Sequence, residues 1–232
     1  MERLVQPEIL DQLSPTDPRA LRSRRDLERV NGWMGNARIV ADALEKFSST
    51  NPPKRIADLG AGDGKFSLGL AQQLSTAWRE VEVVLVDCKK NVQPETSAEF
   101  RRLGWKPEPI EADVFDWLRS AQSEAMDVII ANLFLHHFID EQLNELFHLI
   151  ASRTKLFIAC EPRRTRIGLV ATRLLWAIGC SDITRHDAFL SVRAGFHDGE
   201  LSALWPQHGH WELIEKPASF ASHLLAARSS HL

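Results

Sequence analysis

The chain has 232 residues, of which 44% are hydrophobic and 25% are charged. These proportions are typical of globular proteins and exclude a disordered or fibrous chain. Its 28 Lys and Arg stand against 31 Asp and Glu, a net charge of −3, so the protein has no overall positive field to attract nucleic acid or anionic lipid. We therefore expect a small-molecule partner and no nucleic-acid partner.

The cysteines and the N-terminal residues indicate the cellular compartment. Cys88, Cys160 and Cys180 lie inside apolar segments and lack the spacing of a disulfide framework or a zinc site. They favour reduced thiols in the core of a cytoplasmic protein. The first residues lack the apolar segment of a signal peptide, and no apolar run is long enough to span a membrane.

Residues 1–50 are predicted to form two or three short amphipathic helices. Apolar residues recur at helical spacing over residues 27–34 and again over residues 40–47. The pairs Asn31-Gly32 and Gly35-Asn36 are expected to interrupt the pattern. The opposite face of the first pattern is rich in arginine.

Residues 52–162 alternate short apolar runs with helical patterns, the rhythm of a parallel sheet with crossover helices. Strands are predicted at 55–59, 82–87, 108–112, 127–132 and 156–161. Most of these runs are almost continuously apolar, as expected for strands covered on both faces. The sequence therefore predicts a doubly wound α/β core.

The remaining residues are predicted to complete the same domain. A helix with one apolar face is expected to end at Gly179, followed by an irregular stretch over 181–195 and a short helix near 198–204. Two apolar runs, 211–214 and 222–227, are expected to add a final hairpin to the sheet. The apolar face of the helix is formed by Ile167, Val170, Ala171, Leu174 and Ile178. The tryptophans expected in the core are Trp33, Trp176 and Trp205.

A glycine-rich loop joins the first predicted strand to a helix, with the order Asp58-Leu59-Gly60-Ala61-Gly62-Asp63-Gly64-Lys65. Glycines let a backbone turn tightly and approach a ligand, and the following helix start presents N–H groups to it. The dinucleotide fingerprint needs its third glycine at position 65, where Lys65 stands instead. This departure disfavours a nicotinamide-dependent dehydrogenase.

The Asp-x-Gly-x-Gly-x-Gly order at the end of the strand resembles that of the class I S-adenosylmethionine-dependent methyltransferases. The resemblance covers roughly residues 51–162. It implies a Rossmann-like methyltransferase fold with a mainly parallel, seven-stranded sheet and S-adenosylmethionine as the cofactor. It further implies an N-terminal helical lid over residues 1–50 and a methyltransferase domain over 51–232, together one compact unit.

Acidic residues at successive strand ends add to this resemblance. Asp87 ends the second strand, where a carboxylate can accept both ribose hydroxyls, although it could instead cap a helix. Asp113 ends the third, where the family's acid receives the adenine amino group, although it too could be a helix cap. The resemblance thus implies a set of cofactor-binding residues: Asp58, Gly60, Ala61, Gly62, Gly64, Asp87, Cys88, Asp113, Val114, Asn132 and Leu133.

The segment after the fourth strand, residues 132–138, points to the class of acceptor. It lacks the Pro-Pro-aromatic sequence of nucleic-acid amino-methyltransferases and is more similar to members that modify phenols, quinone precursors and polyketides. A base with a pKa near neutrality helps to deprotonate such an acceptor, and histidine suits that role. His136 or His137 is therefore the expected catalytic base, the alternative being that one packs or caps a helix and the other is solvated.

Further polar residues follow the fifth strand and lie in the predicted irregular stretch. Arg163, His186 and Arg193 are candidates for contacting the substrate. The two arginines could hold an anionic group, although arginines in such runs are commonly solvated or paired with surface acids, and His186 with Asp187 is an alternative base. His208 and His210 have no ligand partner at a suitable spacing, so the sequence predicts no metal site.

The leading hypothesis from the sequence is a small-molecule methyltransferase that methylates an oxygen atom of a phenolic or polyketide-like acceptor. A C-methyltransferase of a quinone or lipid precursor is the first alternative. The second is a module that binds S-adenosylmethionine without catalysis and regulates a partner.

Overall fold

Seven strands form one sheet in the computed structural model, which describes residues 1–14, 17–48, 52–120, 125–207 and 211–230. The sheet order is β3-β2-β1-β4-β5-β7-β6. This order confirms the predicted doubly wound sheet and its final hairpin. The strands are β1 Arg55–Leu59, β2 Glu82–Asp87, β3 Lys106–Glu111, β4 Val128–Asn132, β5 Leu156–Pro162, β6 Trp211–Pro217 and β7 Ser222–Ser229.

The strand pairing brings the carboxyl ends of the central strands to the same level. Strand β1 pairs in parallel with both β2 and β4, and β7 runs antiparallel between β5 and β6. Leu59 lies opposite Val86 on one side and Ala131 on the other, so the carboxyl ends of these three strands are level. The strand order reverses at β1, with β2 and β3 on one side of it and β4 and β5 on the other. Doubly wound sheets bind their ligands at the carboxyl ends of the strands beside such a reversal.

The helices connect the strands and cover both faces of the sheet. Short 3-10 helices follow β4 at Leu135–His137 and precede Gly179 at Leu175–Ile178. The α-helices are α1 Ile9–Gln12, α2 Pro18–Met34, α3 Asn36–Ser48, α4 Lys65–Leu74, α5 Pro94–Arg102, α6 Val114–Arg119, α7 Asp140–Ala151, α8 Arg166–Leu174, α9 Asp182–Ala194 and α10 Glu200–Leu204.

Alternate residues of the central strands pack into two separate hydrophobic cores, one on each face of the sheet. Val83 and Leu85 point into the core with α3, α4 and α5, while Val84 and Val86 point into the core with α6, α7 and α10. Both sets are almost completely buried. Coverage of both faces explains why these strands have no polar alternation.

Strand β3 lies at one edge of the sheet and begins before its predicted start. It contains Pro107 and Pro109, which cannot donate a backbone hydrogen bond. An edge strand tolerates proline because the bonds along its outer side are not needed for pairing. Only its inner side pairs, with β2.

In the N-terminal region, α2 is longer than predicted. It begins at Pro18 after the cap Asp17, runs through Gly32 without interruption and ends only at Gly35, which has a φ of 67°. The prediction of a break at Gly32 is therefore wrong. A single glycine costs a helix about 1 kcal/mol, which a helix of 17 residues tolerates.

The prediction of an irregular stretch over residues 181–195 is also wrong, because α9 occupies it. Ser181 caps this helix by accepting a hydrogen bond from the backbone of Thr184. The buried face of α9 includes the polar residues Thr184 and Asp187, which bond to α2 and α1 respectively. Because this buried face is partly polar, the hydrophobic periodicity that identifies a helix is absent from the sequence.

Several apolar residues predicted to be buried lie on the surface. The face of α8 that carries Ile167 and Val170 is exposed, and Trp33 and Trp176 are 69% and 63% exposed. Among the three tryptophans predicted for the core, only Trp205 is buried. Helix α8 instead buries the small residues Gly168 and Thr172.

Cys160 and Cys180 are buried thiols as predicted, whereas Cys88 is exposed. Within the described part of the chain, none of the helices has the length and apolar character needed to cross a bilayer.

Candidate active site

The glycine loop joins β1 to α4 and is fastened to the end of β2. Gly60, Gly62 and Gly64 have φ angles of 71°, 57° and 77°, in the left-handed region that side chains with a Cβ atom disfavour. The N–H groups of Gly60 and Ala61 donate to the carbonyl oxygen of Val86 at 2.9 and 3.1 Å. These bonds fix the loop beside the carboxyl end of β2.

The carboxylate of Asp87 meets this loop. Its Oδ2 atom accepts the N–H of Gly62 at 2.9 Å, and its Oδ1 atom accepts the N–H of Lys89 at 2.9 Å. Each carboxylate oxygen has a further lone pair, and the side chain is only partly buried. A Cβ atom at Gly62 would meet nothing within 4 Å, so space is open beside the backbone of Gly62. The neighbouring Cys88 is exposed.

Asp58 supports the loop from the core side. Its side chain is 1% exposed and accepts a hydrogen bond from Ser67 of α4 at 2.7 Å. Burial raises the pKa of Asp58 to about 7; the bond from Ser67 opposes this rise and the negative charge of Asp87 adds to it. The structure thus separates Asp58 from the open side of the loop, where Asp87 lies.

Asp113 lies at the end of β3 and caps α6. Its Oδ1 atom accepts the N–H groups of Phe115 and Asp116 at 2.8 and 3.2 Å. The side chain is exposed, and the cap uses only one of its oxygens. The helix-cap alternative therefore describes Asp113 in this structure, and the buried Val114 begins the helix.

The loop after β4 is held by two neighbouring strands and a helix. Asn132 accepts a hydrogen bond from the Nδ2 atom of Asn36 at 2.8 Å, and Asn36 accepts one from Ser222 at 2.6 Å. Leu133 has a φ of 52° and donates its N–H to Cys160 at 2.9 Å. A left-handed leucine is unusual and indicates a backbone constrained by its surroundings.

Phe134 brings this loop into contact with the glycine loop. A Cβ atom at Gly60 would lie 2.1 Å from Cδ2 of Phe134, so the ring packs directly against the glycine backbone. The same ring makes an edge-to-face contact with Phe138 at a centroid distance of 5.0 Å. The loops after β1 and β4 are therefore one packed unit.

Glu161, at the end of β5, anchors the loop after β4 through its buried carboxylate. Its Oε1 atom accepts the N–H groups of Phe134 and Leu135 at 3.0 and 2.9 Å. Its Oε2 atom lies 2.8 Å from Nδ1 of His136. The sequence did not single out Glu161, because nothing near it in the chain indicates these distant partners.

His136 is enclosed by two carboxylates. Besides Glu161, its Nε2 atom faces Oε1 of Glu8 at 3.6 Å, and both side chains are buried. Burial alone would lower the pKa of His136, but Glu161 and Glu8 outweigh it and raise that pKa to about 9. For Glu8, burial opposes ionisation and His136 lowers the pKa. In this arrangement His136 is protonated at neutral pH and is a poor proton acceptor.

His137 lies next to this buried pair. Its ring centroid is 4.3 Å from that of His136, and the side chain is half-buried. The two candidate bases therefore lie together after β4 in different environments.

The three candidate substrate residues lie on two segments. Arg163 follows β5, and its backbone N–H donates to Ala221. His186 and Arg193 are on α9, where the exposed His186 lies 3.2 Å from Asp187. In the described ranges, no hydrogen bond or ion pair joins these three side chains. His208 and His210 lie outside the described residues.

The N-terminal region contacts both loops of the site. Glu28 of α2 forms an ion pair with Lys65, the first residue of α4, with the Oε2 and Nζ atoms 2.6 Å apart. The guanidinium of Arg3 donates to the carbonyl oxygen of Phe138, just after the histidines. Arg3 and Glu28 of the N-terminal region therefore contact the segments that follow β4 and β1.

Comparison with known proteins shows what this arrangement is similar to. Residues 56–155 match a family model described as a methyltransferase domain. The solved plantazolicin methyltransferase BpumL in complex with SAH is 15% identical with a TM-score of 0.63, the alignment covering 92% of this chain and 91% of that one. A search of curated protein sequences gave no match.

Two further solved structures have the same fold. A putative O-methyltransferase from Nostoc punctiforme PCC 73102 is 16% identical with a TM-score of 0.62, over 98% of this chain and 64% of that one. Magnesium protoporphyrin IX methyltransferase from Synechocystis PCC 6803 with bound SAH is 15% identical with a TM-score of 0.56, over 95% and 91%. These comparisons confirm the expected Rossmann-like methyltransferase fold.

The residues present fit the cofactor of this fold. Open space adjoins Gly62, and the Asp87 carboxylate beside it keeps lone pairs for hydroxyl donors. A nucleoside sulfonium requires these features, a close backbone approach and an acceptor for its ribose hydroxyls. The chain thus has the fold of methyltransferases solved with SAH, matches a methyltransferase domain over residues 56–155, and has residues that fit S-adenosylmethionine.

Proposed function

We propose that this enzyme methylates an oxygen atom of a small phenolic or polyketide-like acceptor. The observation that carries the proposal is the junction of the glycine loop, Asp87 and the loop after β4 at the reversal point of the sheet. That edge is where a doubly wound sheet binds its ligand, so donor and acceptor would meet beside residues 132–138.

For the cofactor, we assign the ribose contact to Asp87 and the close backbone approach to Gly62. The bonds from Gly62 and Lys89 hold the Asp87 carboxylate in a fixed orientation. Asp113 is assigned to the adenine end, since the oxygen that does not cap α6 is available to a donor. Asp58 is assigned the indirect role of supporting the loop through Ser67.

The N-terminal helices are proposed to form a lid over this site. The Glu28–Lys65 pair and the Asn36–Asn132 bond connect α2 and α3 to the two loops. A cover at this edge would exclude water and hold the acceptor in line with the transferred group.

S-adenosylmethionine, when bound, supplies an electrophilic methyl group on a sulfonium. The chain's own contribution is to orient the acceptor and to favour loss of its hydroxyl proton. We assign that second task to the region of the histidine pair, because His136 and His137 directly follow the loop after β4.

Small-molecule acceptors are supported by three observations. The segment after β4 has no Pro-Pro-aromatic sequence, and the net charge is −3. The similar structures include enzymes named for plantazolicin and magnesium protoporphyrin IX. Together these features favour a small molecule over a nucleic acid.

The test is methyl transfer from labelled S-adenosylmethionine to a panel of phenols, hydroxylated polyketides, quinols and carboxylic acids, with products identified by mass and the methyl position by NMR. Label on an oxygen is expected, and Asp87→Ala should abolish it while Asp63→Asn, in the same loop, should not. Label on carbon would contradict the O-methyl assignment. Tight cofactor binding without any transfer would favour a regulatory module.

A further inference from the structure

A cluster of three side chains lies where the N-terminal segment meets the loop after β4. Glu8, His136 and His137 each present one potential ligand atom, and these atoms all lie within 4.8 Å of one another. Glu8 and His136 are buried, and His137 is half-buried. Glu8 immediately precedes α1, so the cluster forms only when the N-terminal segment packs against the 3-10 helix after β4.

The distances suit ligands of a common ion better than a direct hydrogen bond. Nε2 of His136 and Oε1 of Glu8 are 3.6 Å apart, beyond the usual range for an N–H···O bond. Two ligands at about 2.0 to 2.2 Å from a tetrahedral ion are separated by roughly 3.3 Å. A small movement of either side chain would therefore bring both atoms into coordination distance.

The two buried ligands also have outer partners that orient them. Nδ1 of His136 lies 2.8 Å from Glu161, so an ion that displaced the proton on Nε2 would leave the Nδ1 proton bonded to Glu161. The hydroxyl of Ser191 donates to Oε1 of Glu8. A carboxylate bonded to the second nitrogen of a metal-binding histidine is the usual arrangement around such ligands.

We propose that Glu8, His136 and His137 bind a divalent transition-metal ion of the Zn²⁺ class, with Glu161 and Ser191 as outer partners. Two imidazoles and one carboxylate suit zinc and its neighbours, whereas Mg²⁺ and Ca²⁺ prefer oxygen ligands alone. The ion would fasten the N-terminal segment to the loop after β4. Three protein ligands leave a further position for water or another oxygen donor.

The inference concerns metal binding alone and does not depend on the acceptor proposed above. Full-length protein treated with a chelator and dialysed is titrated with ZnCl2 by calorimetry, and with CoCl2 while the visible spectrum is recorded. One equivalent of either ion is expected to bind, with a cobalt spectrum typical of mixed nitrogen and oxygen ligands. MgCl2 is expected to bind much more weakly.

Two ligand variants locate the site. His137→Ala and Glu8→Gln are each expected to weaken zinc binding at least tenfold, and Ser191→Ala by roughly 10-fold as an outer-partner change. His148→Ala, an exposed histidine on α7, is the matched control and should bind as the wild type does.

The proposal is overturned if the wild type binds zinc no more tightly than His137→Ala does, or if His148→Ala weakens binding as much as the ligand variants. Should Glu8→Gln fail to fold, the half-buried His137 decides the question by itself. Methyl transfer is measured separately, so a failed acceptor panel leaves the metal result intact.

Discussion

His136 directs its Nδ1 atom at Oε2 of Glu161, 2.8 Å away, and both side chains are buried. The other carboxylate oxygen of Glu161 receives the backbone N–H groups of Phe134 and Leu135. One side chain at the end of β5 therefore determines the path of the chain after β4. The shape of the candidate site depends on this contact between neighbouring strands.

Glu161→Gln should destabilise the protein strongly. The amide has the same shape, but it removes the charge that faces His136 and presents N–H donors to other donors. Removing one partner of a buried, hydrogen-bonded pair costs about 3 kcal/mol or more, measured as the free energy of unfolding in urea. Glu141→Gln, an exposed change on α7, is the control. Equal stabilities of the two variants would contradict an anchoring role.

Gly60 and Gly62 of the loop should respond differently to alanine. Both have positive φ angles, so each substitution costs about 1 to 2 kcal/mol in backbone strain. At Gly60 the new Cβ also collides with Phe134, and overpacking adds about 1 to 3 kcal/mol. Urea unfolding should therefore rank Gly60→Ala as clearly less stable than Gly62→Ala.

A double mutant tests the reason for this ranking. In a Phe134→Ala background, Gly60→Ala should lower the free energy of unfolding by much less than it does in the wild type. The loss of unfolding free energy caused by Gly62→Ala should be the same in both backgrounds. Additive effects at Gly60 and Phe134 would show that the ring is not what excludes a side chain there.

Asp58 should make stability depend on pH. Its pKa is raised from 3.8 to about 7 in the folded protein, so the folded state keeps a proton that the unfolded chain loses. The contribution of Asp58 to the free energy of unfolding is therefore fully present below about pH 4 and is lost as pH rises to about 7. A difference of about three pKa units corresponds to a total of about 4 kcal/mol.

Asp58→Asn removes this titration and can still accept the bond from Ser67. We expect the free energy of unfolding of the variant, measured in urea between pH 4 and pH 8, to increase relative to that of the wild type as pH rises. This relative increase should be complete above pH 7. Asp63→Asn, an exposed change in the same loop, is the control. A constant difference for Asp58→Asn would refute the raised pKa.

Asp87→Ala should weaken cofactor binding. If the carboxylate accepts the ribose hydroxyls, loss of charged hydrogen bonds should cost about 2 to 3 kcal/mol, or roughly 30- to 150-fold in Kd for S-adenosylmethionine by calorimetry. Asp87 also accepts bonds from Gly62 and Lys89, so the free energy of unfolding is measured in parallel. Unchanged affinity in a folded variant would remove Asp87 from the cofactor site.

Much of the central sheet was predictable from local signals. The bounds of β1 and β2 match the prediction, because a strand buried on both faces is a continuous apolar run. The glycine loop was predictable because its positive φ angles require glycine. Signals of this kind lie within a few consecutive residues.

Elements whose stability depends on distant polar partners were not predictable. Helix α9 buries Thr184 and Asp187, whose partners belong to α1 and α2, and so it has no apolar stripe. The surface positions of Ile167 and Trp176 were missed for a related reason. An amphipathic pattern indicates that a face is apolar, but not whether another element covers it.

The sequence by itself determined the strand order along the chain, the turn after β1 and the acids at the strand ends, because each follows from short-range backbone preferences and burial. Only the tertiary structure decided which carboxylates meet which donors. Asp87 holds the glycine loop, Asp58 lies beneath it, and Glu8 joins His136 and His137. Such contacts depend on the packing of segments far apart in the chain, and no local spacing encodes them.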